Sequence, residues 1–210
     1  MRHCHGPQEG STTHPALRLI GIAQADRPER EPLDAHASTI ASWPKPRRPR
    51  GQGRTNAPRL VRPAAPGQSG VPAEFLVDTS AWYPLLVATH PDHSRLASAL
   101  RALIRDRRRL VTTNLVVAET HALLLRRVGR PTALTFVQTV DEAPNLVVRS
   151  TRELEQAAER NWLARYADRD FSFTDAVSFA VMTDRRIRDA LTLDRHFAIA
   201  GFSISPPGIE

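Results

Sequence analysis

Phe75-Leu76-Val77-Asp78-Thr79-Ser80 sets three consecutive apolar residues in front of an acid and two hydroxyls. A short apolar run ended by a cap-forming residue suits a strand buried on both faces and followed at once by a helix. The same arrangement recurs late in the chain, where Ala190-Leu-Thr-Leu193 runs into Asp194. Two such strands near the middle of one parallel sheet deliver both carboxylates to its carboxyl edge, where open α/β sheets bind their ligands.

Working outward, short apolar runs alternate with amphipathic stretches. Strands are predicted over 74–77, 110–112, 145–149, 190–193 and 202–204, and helices over 80–88, 93–107, 115–128, 131–142, 152–167, 175–186 and 195–200. Pro131 suits a first helical turn, Thr151 an N-cap, and Ser172-Phe-Thr-Asp175 the Ser/Thr-x-x-Asp/Glu capping pattern. The alternation predicts an α/β fold of three layers, α/β/α, around a mostly parallel sheet.

Residues 1–72 differ in kind. They hold 11 of the 17 prolines and 7 of the 10 glycines, without sustained helical or strand periodicity. Such a segment buries too little apolar surface to offset its ordering entropy, so a disordered Pro/Arg-rich tail is expected ahead of a domain at 73–210. A second reading starts the chain near Val71. The tail carries 11 Arg and Lys against 5 acids, while the remainder is nearly balanced at 18 against 17, so the tail holds +6 of the net charge of +7. The basic run Trp43-Pro-Lys-Pro-Arg-Arg-Pro-Arg50 is read as a solvated linker rather than a nucleic-acid arm. The single cysteine, Cys4, excludes an intramolecular disulfide and leaves a reducing cytoplasm as the default. No apolar run approaches the ~18 residues a membrane span needs.

Four acids carry the chemistry. Asp78 and Asp194 follow strands directly, and Asp175 opens an apolar helix. Glu119 has Leu115, Val116, Ala122 and Leu123 three or four residues away, which predicts burial beside a cation. Each of the other three also has a plain explanation as a helix cap. No cysteine pair and no His-x-x-x-His spacing accompanies them, so the set suits a hard cation, Mg²⁺ or Mn²⁺, rather than zinc. Such an ion at a sheet edge serves phosphodiester hydrolysis. Thr79, Ser80 and Thr192 stand beside Asp78 and Asp194, positioned to hydrogen-bond the carboxylates.

His90 and His93 are read as surface residues, with His196 and Arg195 closer to the acids and to any phosphate. The run Arg105-Asp-Arg-Arg-Arg109 is read as a solvated helix end, and Trp82, Tyr83, Trp162 and Phe179 as core or oligomer contacts. An aspartyl-phosphate phosphatase is disfavoured, because no Asp-x-Asp follows the first strand.

Phe75-Leu-Val-Asp78-Thr-Ser-Ala-Trp82, Val117-Ala-Glu119-Thr, Phe173-Thr-Asp175-Ala-Val-Ser-Phe-Ala180 and Leu191-Thr-Leu-Asp194-Arg-His-Phe197 together resemble the successive motifs of PIN-domain nucleases. The resemblance spans about 75–204 and is strongest to the ribonuclease toxins of VapBC toxin-antitoxin pairs. It implies a Mg²⁺ or Mn²⁺ site lined by Asp78, Glu119, Asp175 and Asp194, with the family hydroxyl at Ser80 rather than Thr79. It further implies endonucleolytic cleavage of RNA, a homodimer and a small cognate antitoxin. The long stretch before Phe75 departs from that compact pattern. The rival expectation is a non-catalytic RNA-binding or regulatory scaffold in which the acids are caps.

Overall fold

In the computed structural model, residues 73–207 and Arg18 are described. The expectations for the tail and for a start near Val71 fall outside the described residues, save Arg18, which is helical and exposed. Five strands form one sheet: β1 Glu74–Val77, β2 Arg109–Thr113, β3 Leu146–Val148, β4 Asp189–Leu191 and β5 Ser203–Ser205. Their order is β3-β2-β1-β4-β5 and every neighbouring pair is parallel. The chain moves outward from β1 to β3 and then returns to the other side of β1. The strand order therefore reverses between β1 and β4, and the crevice outside their carboxyl ends lies at the switch point.

The helices follow from that reversal, because right-handed crossovers in opposite directions place their helices on opposite faces. Helices α1 Thr79–Leu86, α2 His93–Arg105, α3 Asn114–Arg127 and α4 Arg130–Thr139 precede β3. After it come α5 Arg152–Ala158, α6 Phe173–Arg185 and α7 Arg195–Ile199. Period-two alternation in β1 serves both layers. Phe75 and Val77 join Trp82, Leu96, Leu124 and Phe136 in one core, while Leu76 joins Val111, Phe179 and Phe197 in the other.

Local signals set the helix starts. Pro131 occupies the first turn of α4, the Thr151 side chain accepts from the Leu154 amide, and Ser172 with Asp175 closes a full capping box on α6. The helix predicted over 152–167 is shorter: α5 stops at Ala158 and continues as a π-helical turn, Glu159–Leu163. The wider turn re-aims Trp162, whose ring stacks on Tyr166 and meets Phe179 edge-on with centroids 5.1 Å apart. Trp82 is fully buried and donates from Nε1 to Thr112 Oγ1 at 3.4 Å, so it is a core residue.

Two polar readings need correction. His93 is buried rather than superficial, and its Nδ1 lies 3.0 Å from the Pro84 carbonyl. That carbonyl sits in the last turn of α1, where it also accepts from the Val87 amide at 3.3 Å, and the imidazole lies on its remaining acceptor capacity. The arginine run is not wholly a solvated helix end either. Arg108 reaches back to the amino edge of the sheet, where Nη2 donates to the Glu74 carbonyl at 2.8 Å and to Asp189 Oδ2 at 2.6 Å. Arg109 donates from Nε to the Pro144 carbonyl, and Arg185 grips the Glu74 carboxylate with two bonds. These arginines pin strand starts at the edge opposite the acids, which removes Arg108 and Arg109 from any substrate groove. Arg108→Ala is expected to cost about 1–2 kcal/mol in urea unfolding, kept small by the 37% exposure of its partner Asp189. Unchanged stability would show that the contact contributes nothing. No helix among the described residues is long and apolar enough to cross a membrane.

Candidate metal centre

Three of the four acids stand where strands end or helices begin, and each caps a helix. Asp78, the first residue past β1, is the N-cap of α1. Its Oδ2 accepts from the Ser80 amide at 3.1 Å, from Ser80 Oγ at 2.8 Å and from Thr192 Oγ1 at 3.2 Å. Asp194 is the N-cap of α7, with Oδ1 accepting from the His196 amide at 2.8 Å. Asp175 lies in the first turn of α6, where Oδ2 accepts from the Ser172 amide at 2.9 Å. Capping and convergence hold together: parallel strands ending at one edge bring the caps of their helices to that edge.

The two hydroxyls join β1 to β4. Ser80 Oγ lies 3.0 Å from Thr192 Oγ1 and accepts from the Leu193 amide at 2.8 Å, while Thr192 Oγ1 accepts from the Asp194 amide at 2.9 Å. Asp78 and Asp194 are thereby fixed relative to each other through three short bonds. Thr79 points elsewhere and donates to Glu119 Oε2 at 3.1 Å.

Glu119 departs from expectation, being exposed rather than buried. The buried stripe of α3 runs through Val116, Thr120 and Leu124, and Glu119 lies one residue off it. Its carboxylate consequently needs no buried counter-charge, and the case for a cation from its burial falls away. What remains is its bond to the residue next to Asp78, which sets it at the rim of the crevice.

His196 enters the cluster from the start of α7. Its Nδ1 is 3.4 Å from Asp194 Oδ2 and 3.7 Å from Asp175 Oδ2, and that buried nitrogen makes no hydrogen bond. Asp175, Asp194 and His196 each offer a ligand atom, all within 4.8 Å of one another. Only its place two residues after Asp194 hinted at this in the sequence. Arg195 between them is exposed.

Burial raises the Asp78 carboxyl above its ordinary range; bonds from Ser80 oppose this and the charge of Asp175 adds to it. Asp175 is likewise raised, first by burial, with Asp194 pushing the same way and the bonds from Ser172 and the charge of His196 opposing. Mutually repelling carboxylates at one edge form an oxygen donor set that a hard divalent cation satisfies, with the His196 ring nitrogen beside it.

The family profile described as PIN domain matches residues 75–203. This chain belongs to the PIN-domain family. The PIN region is also 36% identical over 128 residues to the 23S rRNA-specific endonuclease VapC20 of Mycobacterium tuberculosis, from strains CDC 1551 / Oshkosh and H37Rv alike, covering 61% of this chain and 95% of the relative. The crystal structure of that organism's VapC20, described as a sarcin-ricin loop cleaving toxin, superposes with a TM-score of 0.54 at 35% identity, over 61% of this chain and 95% of the other. The PIN assignment agrees with the order of the acids along the chain and with the wholly parallel sheet that carries them.

Proposed function

We propose that this chain is a metal-dependent endoribonuclease, the toxin of a toxin-antitoxin pair, acting on the sarcin-ricin loop of 23S rRNA. The observation that carries the reading is the meeting of Asp78, Asp175, Asp194 and His196 at the switch-point crevice. The substrate follows from the relative, which spans nearly its whole length on this chain. The nuclease is assigned to residues 73–210, with 1–72 as an appended tail, working in the cytoplasm as a homodimer held in check by a cognate antitoxin.

Asp78, Asp175 and Asp194, with Glu119 from the rim, are the residues that would hold Mg²⁺, or Mn²⁺ in its place. When bound, that ion supplies an activated water and neutralises charge developing on the phosphate. The chain's own part is orientation. Ser80 and Thr192 fix Asp78 on one oxygen, the Ser172 amide fixes Asp175, and the His196 amide fixes Asp194. Carboxylates held this way would receive the cation without rearranging, which is where preorganised sites gain most of their rate.

The test is incubation of the full chain with ribosomes in Mg²⁺, Mn²⁺ or EDTA, followed by primer extension across 23S rRNA. One cut in the sarcin-ricin loop, absent in EDTA, is expected. Cutting that survives EDTA would overturn the metal assignment. RNA binding without any cutting would favour the scaffold reading, for which the capping roles of Asp78, Asp175 and Asp194 speak.

A further inference from the structure

Six of the seven phenylalanines are buried or partly buried, while Phe173 is 46% exposed. The other large apolar side chains exposed among the described residues, Leu125, Val128, Leu134, Val137 and Ile199, are all aliphatic. Phe173 is the first residue of α6 and stands two positions before Asp175.

Its direction follows from helical spacing. Phe173, Val177 and Ala180 lie on one stripe of α6, and the lower two are buried against α5 in a cluster with Ala157, Ala158 and Leu154. Leu154 lies in the first turn of α5, so α5 and α6 both begin at the carboxyl edge, and Phe173 stands one turn above the packed part of their interface. Two arginines stand at the same edge of the sheet. Arg149 follows β3 and Arg152 opens α5, both exposed, and the Ser150 amide between them donates to Asn114 Oδ1 at 2.7 Å, tying the end of β3 to the end of β2. With strands about 4.8 Å apart, the end of β3 lies about 10 Å from that of β1. Exposed Arg195 follows Asp194 after β4.

The carboxyl edge thus carries an arginine pair, an exposed aromatic ring, the carboxylates and a further arginine. An aliphatic partner patch needs no ring and no guanidinium groups, whereas unpaired RNA needs both, since its bases stack on aromatic faces while its phosphates pair with arginine. We infer that Phe173 is a stacking platform for the base of a nucleotide flanking the scissile phosphate on the β3 side, with Arg149 and Arg152 holding the phosphates there. This rests on the nuclease reading above and makes Phe173 a positioning residue, not a catalytic one.

The test uses the full chain, Mg²⁺ and an RNA hairpin carrying the sarcin-ricin loop, comparing wild type with Phe173→Leu and Phe173→Trp. Leucine keeps an apolar side chain but removes the π-face; tryptophan keeps it. Phe173→Leu is expected to raise KM about tenfold with kcat within about twofold, and Phe173→Trp to match wild type within about twofold. A hairpin made abasic at the stacked position should bind wild type about tenfold more weakly and bind Phe173→Leu no worse than the intact hairpin does. An unchanged KM for Phe173→Leu overturns the inference and leaves the ring to a protein contact. A loss confined to kcat also overturns it, because the ring then acts by placing Asp175. If wild type cuts no hairpin in any metal, the nuclease reading itself has failed and this inference falls with it.

Discussion

Asp175→Asn is expected to reduce the rate of RNA cleavage at least about a thousandfold, the scale of losing a charge from a metal-centred phosphoryl site, while the protein stays folded. The substitution separates two roles of one side chain. An asparagine oxygen still accepts from the Ser172 amide, so the capping box survives and the start of α6 is kept. What disappears is one negative charge among repelling neighbours, so the metal-free variant should be at least as stable as wild type in urea. Asp78→Asn should behave alike, because its amide oxygen retains bonds from Ser80 and Thr192. Asp78→Ala should instead lose both activity and stability, since it leaves the Ser80 and Thr192 hydroxyls and the first amides of α1 without that acceptor. Glu119→Gln should cost only about tenfold, because Glu119 stands exposed at the rim and meets the site through Thr79. Full cleavage by Asp175→Asn would reduce the acids to caps and sink the metal centre. An unfolded Asp175→Asn would mean that the charge, not the hydrogen bond, holds α6.

The elements were legible because their signals are local. Phe75-Leu-Val ends in an acid and two hydroxyls, and Asp78 and Ser80 bond to each other at the strand end. Pro131 marks a helix start through its fixed backbone angle, and Thr151 and Ser172 mark theirs through bonds no more than a turn long. Glu119 was misplaced for a reason particular to its helix. From Leu115 to Leu125 eight of eleven residues are apolar, and each of the polar three, Glu119, Thr120 and His121, has only apolar neighbours three and four positions away on either side. Only packing against the sheet selects Val116, Thr120 and Leu124 as the buried stripe.

The other misses are long-range. His93 is drawn in by a carbonyl in the preceding helix, and Arg108 is held by partners on β1 and at the start of β4. No periodicity announces contacts of that kind. The position of His196 is intermediate: adjacency to Asp194 suggested the neighbourhood, but its approach to Asp175 depends on how α6 and α7 meet. The π-helical turn at Glu159–Leu163 is likewise a response to where Trp162 must pack.

The second large effect is a reversal of the pH trend of stability when a divalent ion is supplied. Asp78 and Asp175 have ordinary values of 3.8, and in the fold both are raised, first by burial. A carboxyl raised on folding binds its proton more tightly in the native state, so between the ordinary and the raised value the native chain carries more protons than the unfolded one. The resulting stability is fully present below about 3.8 and is lost as pH rises through the raised values. Metal-free protein in EDTA should therefore melt at progressively lower temperature as pH rises through that window. Glu153 is shifted downward and works in the opposite sense, but it is exposed at the start of α5, where solvent screens its contribution. With Mg²⁺ the slope should invert, because the ion needs these same carboxyls deprotonated, and its apparent affinity climbs with pH. At a concentration about a hundredfold above its dissociation constant, the ion stabilises by about 2.7 kcal/mol, or about 10 °C for a domain of this size. Melting curves across pH, with and without Mg²⁺, read both slopes, and Asp78→Asn should flatten each, since it removes one titrating group and one ligand together. A metal-free melting temperature that rises through the window would mean that burial does not burden these carboxyls. An unchanged one on adding Mg²⁺ would mean that the cluster does not hold the ion.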